Sequence, residues 1–170
     1  MNYNPSTIAR IGDLNRGLLA QTPVSLAATY LLVASNPMFN VYGRIRILAF
    51  DIEVVADLSA DATTLQFYFD PSVPAGSEVT MSAASGALTS LAVGQRVAMS
   101  GTALTTAPIE SVNPAISLAV NAYIDVGAYN GVGVLGVIGA AAAQTGTTAT
   151  FRVNLLYVPI YPGSYVSSAI

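Results

Sequence analysis

The stretch Phe39-Asn-Val-Tyr-Gly-Arg-Ile-Arg-Ile-Leu-Ala-Phe-Asp-Ile-Glu-Val-Val-Ala56 reads as β-structure along its length. In its first part Arg44 and Arg46 fall on one face of a strand, and Ile45 and Ile47 on the other. Beyond Leu48 the phase inverts: Phe50, Ile52 and Val54 become the apolar positions, and Asp51 and Glu53 the polar ones. Side chains alternate strictly along a strand, so the inversion predicts a bulge or bend near Leu48–Phe50.

Working outward, the same texture continues in both directions. Upstream, the apolar run Ser25–Ala34 is closed by Ser35-Asn36-Pro37, a strong turn signal. Downstream, Asp57 to Asp61 reads as a turn, and Thr63–Phe69 as a strand with Leu65, Phe67 and Phe69 on one face. Asp70-Pro71 through Pro74-Ala75-Gly76 closes it, and Glu78–Ala83 forms a shorter strand before a turn at Ser85-Gly86. Further strands are expected over Gln95–Ser100, Ala115–Val126, Val132–Ile138 and Thr147–Ile160, the last with Phe151, Val153 and Leu155 on one side. About eight strands joined by short polar turns predict an all-β sandwich or barrel. At 170 residues, one domain is expected.

Residues 1–24 differ from the rest. They hold Asn2, Asn4, Pro5, Asn15, Gln21 and Pro23, with Arg10, Asp13 and Arg16 close together. Ile8, Ile11, Leu14 and Leu18 recur at spacings of three and four, which suits one or two helical turns capped by Thr7. The segment reads as an extended arm that packs on a neighbouring subunit, ahead of a β-domain over residues 25–170.

Composition limits the functional classes. Charged residues are 9% of the chain, against roughly a quarter in ordinary globular proteins, while hydrophobic residues reach 53%. Such a chain either enters a membrane or is covered by neighbours. A spanning helix needs about 20 apolar residues. The longest uncharged apolar run, Gly131 to Ala143, has 13 residues and four glycines. An outer-membrane-type barrel gives weaker signals, but its aromatic belts usually carry Trp, which is absent here. The start Met-Asn-Tyr-Asn-Pro shows no basic region and no apolar core of a signal peptide, so the expectation is a protein that stays where it is made. Assembly is the better account of the low charge.

Catalytic chemistry finds little to use. His, Cys and Lys are all absent, which removes the commonest general base, the thiolate ligand and the amine nucleophile. Asp51 and Glu53 share a strand face about 6.5–7 Å apart by strand rise, a separation that suits paired-carboxylate glycoside hydrolysis. A solvated or ion-paired face, partnered by Arg44, Arg46 or Arg152, is the simpler explanation. Asp57, Asp61 and Asp70 match no calcium-loop pattern and suit ordinary turns. Gly131-Val-Gly-Val-Leu-Gly136 has the form G-x-G-x-x-G but lacks the strand–helix context of a dinucleotide site. It reads instead as a strand where small residues let another backbone approach closely. With net charge −3 and scattered arginines, no basic patch points to nucleic acid. No enzyme activity, cofactor or metal is expected.

Three blocks carry a family resemblance: Ile8-Ala-Arg-Ile-Gly-Asp-Leu-Asn-Arg-Gly-Leu-Leu-Ala-Gln-Thr-Pro23, Ala62-Thr-Thr-Leu-Gln66 leading into Val79-Thr-Met-Ser-Ala-Ala-Ser85, and Thr150-Phe-Arg-Val-Asn-Leu-Leu-Tyr-Val-Pro159. The chain resembles the capsid decoration, or cement, proteins of tailed bacteriophages. That resemblance implies a single-domain antiparallel β-sandwich or jelly roll with an N-terminal arm. It also implies a homotrimer bound to the major capsid protein on the outside of the virion, made in the host cytoplasm, with no direct contact to nucleic acid or membrane. The arm residues Ile8, Arg10, Ile11, Asp13, Leu14, Arg16 and Leu18 are the expected capsid or subunit contacts. The alternative is a phage tail, baseplate or head-fibre component, or a receptor-binding tip. In a tip, the tyrosines Tyr123, Tyr129 and Tyr161 would stack on host glycan.

Overall fold

The computed structural model describes residues 18–21, 26–27, 35–99, 109–110, 124–141 and 150–170, and no helix occurs among them. Twelve strands follow in chain order: β1 (Leu18–Gln21), β2 (Leu26–Ala27), β3 (Ser35–Tyr42), β4 (Ile45–Ala56), β5 (Thr63–Val73), β6 (Val79–Thr80), β7 (Arg96–Ala98), β8 (Ile109–Glu110), β9 (Ile124–Val126), β10 (Val132–Ala141), β11 (Thr150–Pro159) and β12 (Tyr165–Ser168). They form two sheets that pack as a sandwich. The first runs β1-β11-β4-β7-β8, with β2 also pairing β11 and β9 also pairing β4. The second runs β12-β3-β10-β5-β6. Every pairing is antiparallel.

The predicted phase inversion in β4 is a bulge at Leu48. Ile47 lies opposite Tyr157 and Ala49 opposite Leu156, which leaves Leu48 without a counterpart on β11. The extra residue rotates the strand by one position. Ile45 and Ile47 before it, and Phe50, Ile52 and Val54 after it, can therefore all enter the same core. There Phe50 lies between two rings of the other sheet, 6.2 Å from the Phe39 centroid and 4.6 Å from that of Phe67, tilted in both contacts. All three rings are fully buried.

Several boundaries differ from the expectation. Leu18 belongs to a strand rather than a helical turn. β1 pairs with β11 of its own chain, with Leu18 opposite Tyr157 and Gln21 opposite Asn154. The free edge of β11 supplies backbone partners, and Leu18 and Ala20 pack against the core. The end of the segment read as an arm is thus an edge strand of the sandwich. Ile8, Arg10, Ile11, Asp13, Leu14 and Arg16 lie outside the described residues.

β5 does not close at Asp70-Pro71 but continues to Val73, with Asp70 and Pro71 opposite Val134 and Gly133. On its other side β6 reaches only Tyr68 and Phe69, so Pro71 sits where no ladder donor is needed. The strand expected over Glu78–Ala83 shrinks to Val79–Thr80 because side chains replace the ladder beyond it. Ser82 Oγ accepts a hydrogen bond from Phe67 N at 3.0 Å, and Ser85 Oγ one from Leu65 N at 2.9 Å. These contacts account for two serines buried beside the core.

Gly133 and Gly136 of the glycine motif lie in β10, between β3 and β5, as close-approach positions. A Cβ on Gly133 would stand 2.5 Å from Phe69 Cζ. One on Gly136 would collide with the Asn36 carbonyl oxygen and stand 2.6 Å from the Tyr68 ring.

Candidate functional site

Two polar features stand out on this scaffold. The first lies on the outer face of the larger sheet, where register places Gln21, Asn154 and Asp51 in one row and Arg152, Glu53 and Arg96 in the next. Gln21 Nε2 donates to Asn154 Oδ1 at 2.7 Å, and Asn154 Nδ2 donates to Asp51 Oδ1 at 2.9 Å. Glu53 Oε2 accepts from Arg152 Nη2 at 2.7 Å and from Arg96 Nη2 at 3.2 Å, while Arg96 Nη1 is 3.7 Å from Asp51. The two carboxylates respond in opposite ways. Burial lifts Asp51 above the usual carboxylate value, outweighing the Asn154 hydrogen bond and the Arg96 charge. Burial pushes Glu53 in the same direction, but hydrogen bonds and charge from Arg152 and Arg96 outweigh it and hold Glu53 below its usual value.

Of the expected partners for this face, Arg152 is present and Arg96 joins it. Arg44 and Arg46 instead hold Asp125 on β9: Arg46 Nε is 2.7 Å and Arg44 Nη2 3.5 Å from its carboxylate. The Arg46 hydrogen bond, first among the causes, keeps Asp125 below the ordinary carboxylate value. Asp51 and Glu53 therefore form a cross-linked strip over four strands. That geometry ties each carboxylate to fixed donors rather than aiming both at a common reacting atom.

Of the three aspartates expected in turns, Asp70 lies within β5 instead, Asp57 ties two loops together and Asp61 closes a local turn. Asp57 Oδ1 accepts from Val93 N at 2.8 Å, and Asp61 Oδ2 from Ser59 Oγ at 2.5 Å. Among the described residues no group of three His, Cys, Asp or Glu side chains converges. Among the described residues no helix is long and apolar enough to cross a membrane.

The second feature is a cleft at one end of the sandwich, where the β3–β4, β9–β10 and β11–β12 turns meet. It has a volume of about 290 Å³ and is lined by Tyr42, Tyr129, Tyr161, Asn130, Gly163 and Ser164 among others. Each of its three rings contacts another ring, Tyr165 doing so from outside the lining. Tyr42 stacks on Tyr165 with centroids 4.5 Å apart and planes at 15°, and Tyr129 meets Tyr161 edge to face at 5.5 Å. Tyr129 is 70% exposed and Tyr165 50%.

The three turns brace one another through the backbone. Gly43 N donates to the Gly131 carbonyl at 2.8 Å, Ile160 N to the Arg44 carbonyl at 2.9 Å, and Arg44 N to Ser164 Oγ at 3.1 Å. Gly43 and Asn130 have φ of 76° and 53°, a region open to glycine and tolerated by asparagine.

The structure brings together Tyr129 and Tyr161 of the tyrosines singled out from the sequence, while Tyr123 lies outside the described residues. Tyr42 and Tyr165 were not among them, nor was Arg96 among the expected partners of the carboxylates. A signal for the cleft does exist: Tyr42-Gly43, Tyr129-Asn130-Gly131 and Tyr161-Pro162-Gly163 repeat a tyrosine at the entry to a glycine turn. Comparison of the chain with protein-family models, curated proteins and solved structures finds no match.

Proposed function

We propose that this chain is a virion structural protein that binds the outside of a bacteriophage capsid lattice and stabilises it as a homo-oligomer, with a trimer as the expected unit. The observation that carries this reading is the strand order. β1 and β2 share one lane beside β11, and β7 and β9 share one beside β4. Numbering each lane once in chain order gives 1-8-3-6 in one sheet and 2-7-4-5 in the other, with β8 and β12 added at edges. We read this order as a jelly roll, a double-sheet form that recurs in viral capsid domains. A fold alone does not carry function. The reading therefore also leans on composition: a chain with 9% charged residues, against roughly a quarter in ordinary globular proteins, suits a surface covered by neighbours. No catalytic step enters the proposal.

The test pairs sedimentation with capsid binding. Because β1 contributes Leu18 and Ala20 to the core, the informative truncation removes residues 1–17 rather than 1–24. The expected result is a trimeric chain whose truncated form stays folded and no longer binds capsids. A monomer whose truncated form still decorates capsids would contradict the proposal. A second reading, a head-fibre, baseplate or receptor-binding component, is favoured by a different observation: the exposed tyrosine cleft.

A further inference from the structure

We propose that the cleft framed by Tyr42, Tyr129 and Tyr161 binds a neutral saccharide of one or two sugar units. This deepens the receptor-binding reading by naming the ligand class, and it stands without any placement on a capsid.

Shape comes first. A volume of about 290 Å³ lies just below the usual range of ligand clefts, which run from roughly 300 Å³ upward, so the occupant is small. Exposed tyrosines that only mediate packing would form a flat or raised patch. Here they stand around a depression.

Chemistry comes second. A pyranose presents apolar C–H faces and a rim of hydroxyls, and tyrosine answers both with a ring face and a phenolic group. Asn130, Ser164 and the backbone of three turns add hydrogen-bonding groups around the rings. No charged side chain lines the cleft among the described residues, which removes the partner a phosphate or acidic sugar would need. An aromatic cage can also take a quaternary ammonium ion. However, among the described residues no carboxylate lines the cleft, which disfavours a cation there.

Preorganisation comes third. Each cleft tyrosine already leans on another ring, Tyr42 on Tyr165 and Tyr129 on Tyr161, and the turns that carry them are bonded to one another. A ligand that enters therefore finds much of the side-chain ordering cost already met.

The experiment is a glycan array probed with the full chain. The array carries neutral glucose-, galactose- and N-acetylglucosamine-terminated oligosaccharides beside sialylated ones. Isothermal titration with the best neutral oligosaccharide follows, and choline serves as the cationic comparison. The expected result is binding to neutral glycans. Tyr129→Ala and Tyr161→Ala should each weaken it about tenfold, while Tyr129→Phe stays within about threefold, since the ring is kept. Tyr129 is mostly exposed, so its variants should melt with the wild type. Three results would each overturn the inference: no neutral glycan bound at millimolar concentration, preference for choline or sialylated glycans, or Tyr→Ala variants that alter only the sedimenting mass. A chain that binds sugars yet decorates no capsid keeps this inference and loses the assembly proposal. A chain that decorates capsids and binds no sugar does the reverse.

Discussion

Replacing Glu53 by Gln and, separately, Asp51 by Asn perturbs two neighbouring carboxylates in opposite senses. Glu53 accepts two hydrogen bonds from guanidinium groups, and the side chains concerned are only 23–29% exposed. Gln keeps an acceptor oxygen but loses the charge. A hydrogen bond to a charged group contributes about 1.5–3 kcal/mol against about 0.5–1.5 for a neutral one, so two contacts lose about 2–3 kcal/mol together. For a chain of this length that corresponds to a fall of about 4–12 °C in melting temperature.

Asp51 is different, because its side chain is 11% exposed and the long contact to Arg96 compensates poorly for burial. Asn at that position still accepts from Asn154 and no longer buries a charge. Asp51→Asn should therefore leave stability at neutral pH within about 0.5 kcal/mol of wild type or raise it. The pH dependences are also opposed. Glu53, held below 4.5, stabilises the fold above that value and loses its contribution as pH falls through its folded value. Asp51, lifted above 3.8, favours the fold fully below that value and loses its contribution as pH rises through its folded value. Urea denaturation at neutral pH and at about pH 3, at one fixed protein concentration, reads both effects. The reasoning is refuted if Asp51→Asn costs more than Glu53→Gln at neutral pH, or if the Glu53→Gln penalty survives undiminished in acid.

Three further outcomes follow from the packing. Phe50→Ala opens a void between Phe39 and Phe67 and should cost about 3–5 kcal/mol in a denaturation midpoint, the largest loss of the set. Gly136→Ala drives a methyl group into the Asn36 carbonyl and the Tyr68 ring, and should cost about 1–3 kcal/mol in the same assay. Tyr68, pushed up to about 12 by burial and then by the charges of Glu78 and Asp70, should ionise late in an ultraviolet titration. Stability should fall as pH rises from 10.0 towards that value, a slope that Tyr68→Phe should flatten.

How much of this was legible depends on which interaction decides each element. The inverted phase of β4 was readable because strand alternation is a local rule, and the bulge falls at Leu48, inside the predicted window. The small-residue role of Gly133 and Gly136 was readable too, since the sequence around them lacks the strand–helix pattern of a dinucleotide site. The end of β5 was not. Pro71 ends a strand only where its missing donor matters, and that depends on how far β6 extends. Ser82 and Ser85 replace a ladder through side-chain oxygens, which alternation cannot distinguish from a strand. The polar strip was half legible. Asp51 and Glu53 share a face by spacing, but Arg96 reaches them only through the β4–β7 register, and Arg44 and Arg46 are drawn away by Asp125 on β9. The tyrosine cleft gathers residues from three turns that lie as far apart in sequence as Tyr42 and Ser164. The sequence reading ran Phe39–Ala56 as one β-stretch, whereas the chain turns at Gly43-Arg44, and the meeting of the three turns was not legible either.

If neighbours on a capsid lattice cover this sandwich, as proposed, reconstruction of a phage particle containing the chain should show sandwich-shaped density on the outer capsid surface, in groups of three at three-fold positions. Density confined to the tail or baseplate, or an outer capsid surface without the chain, would contradict the proposal.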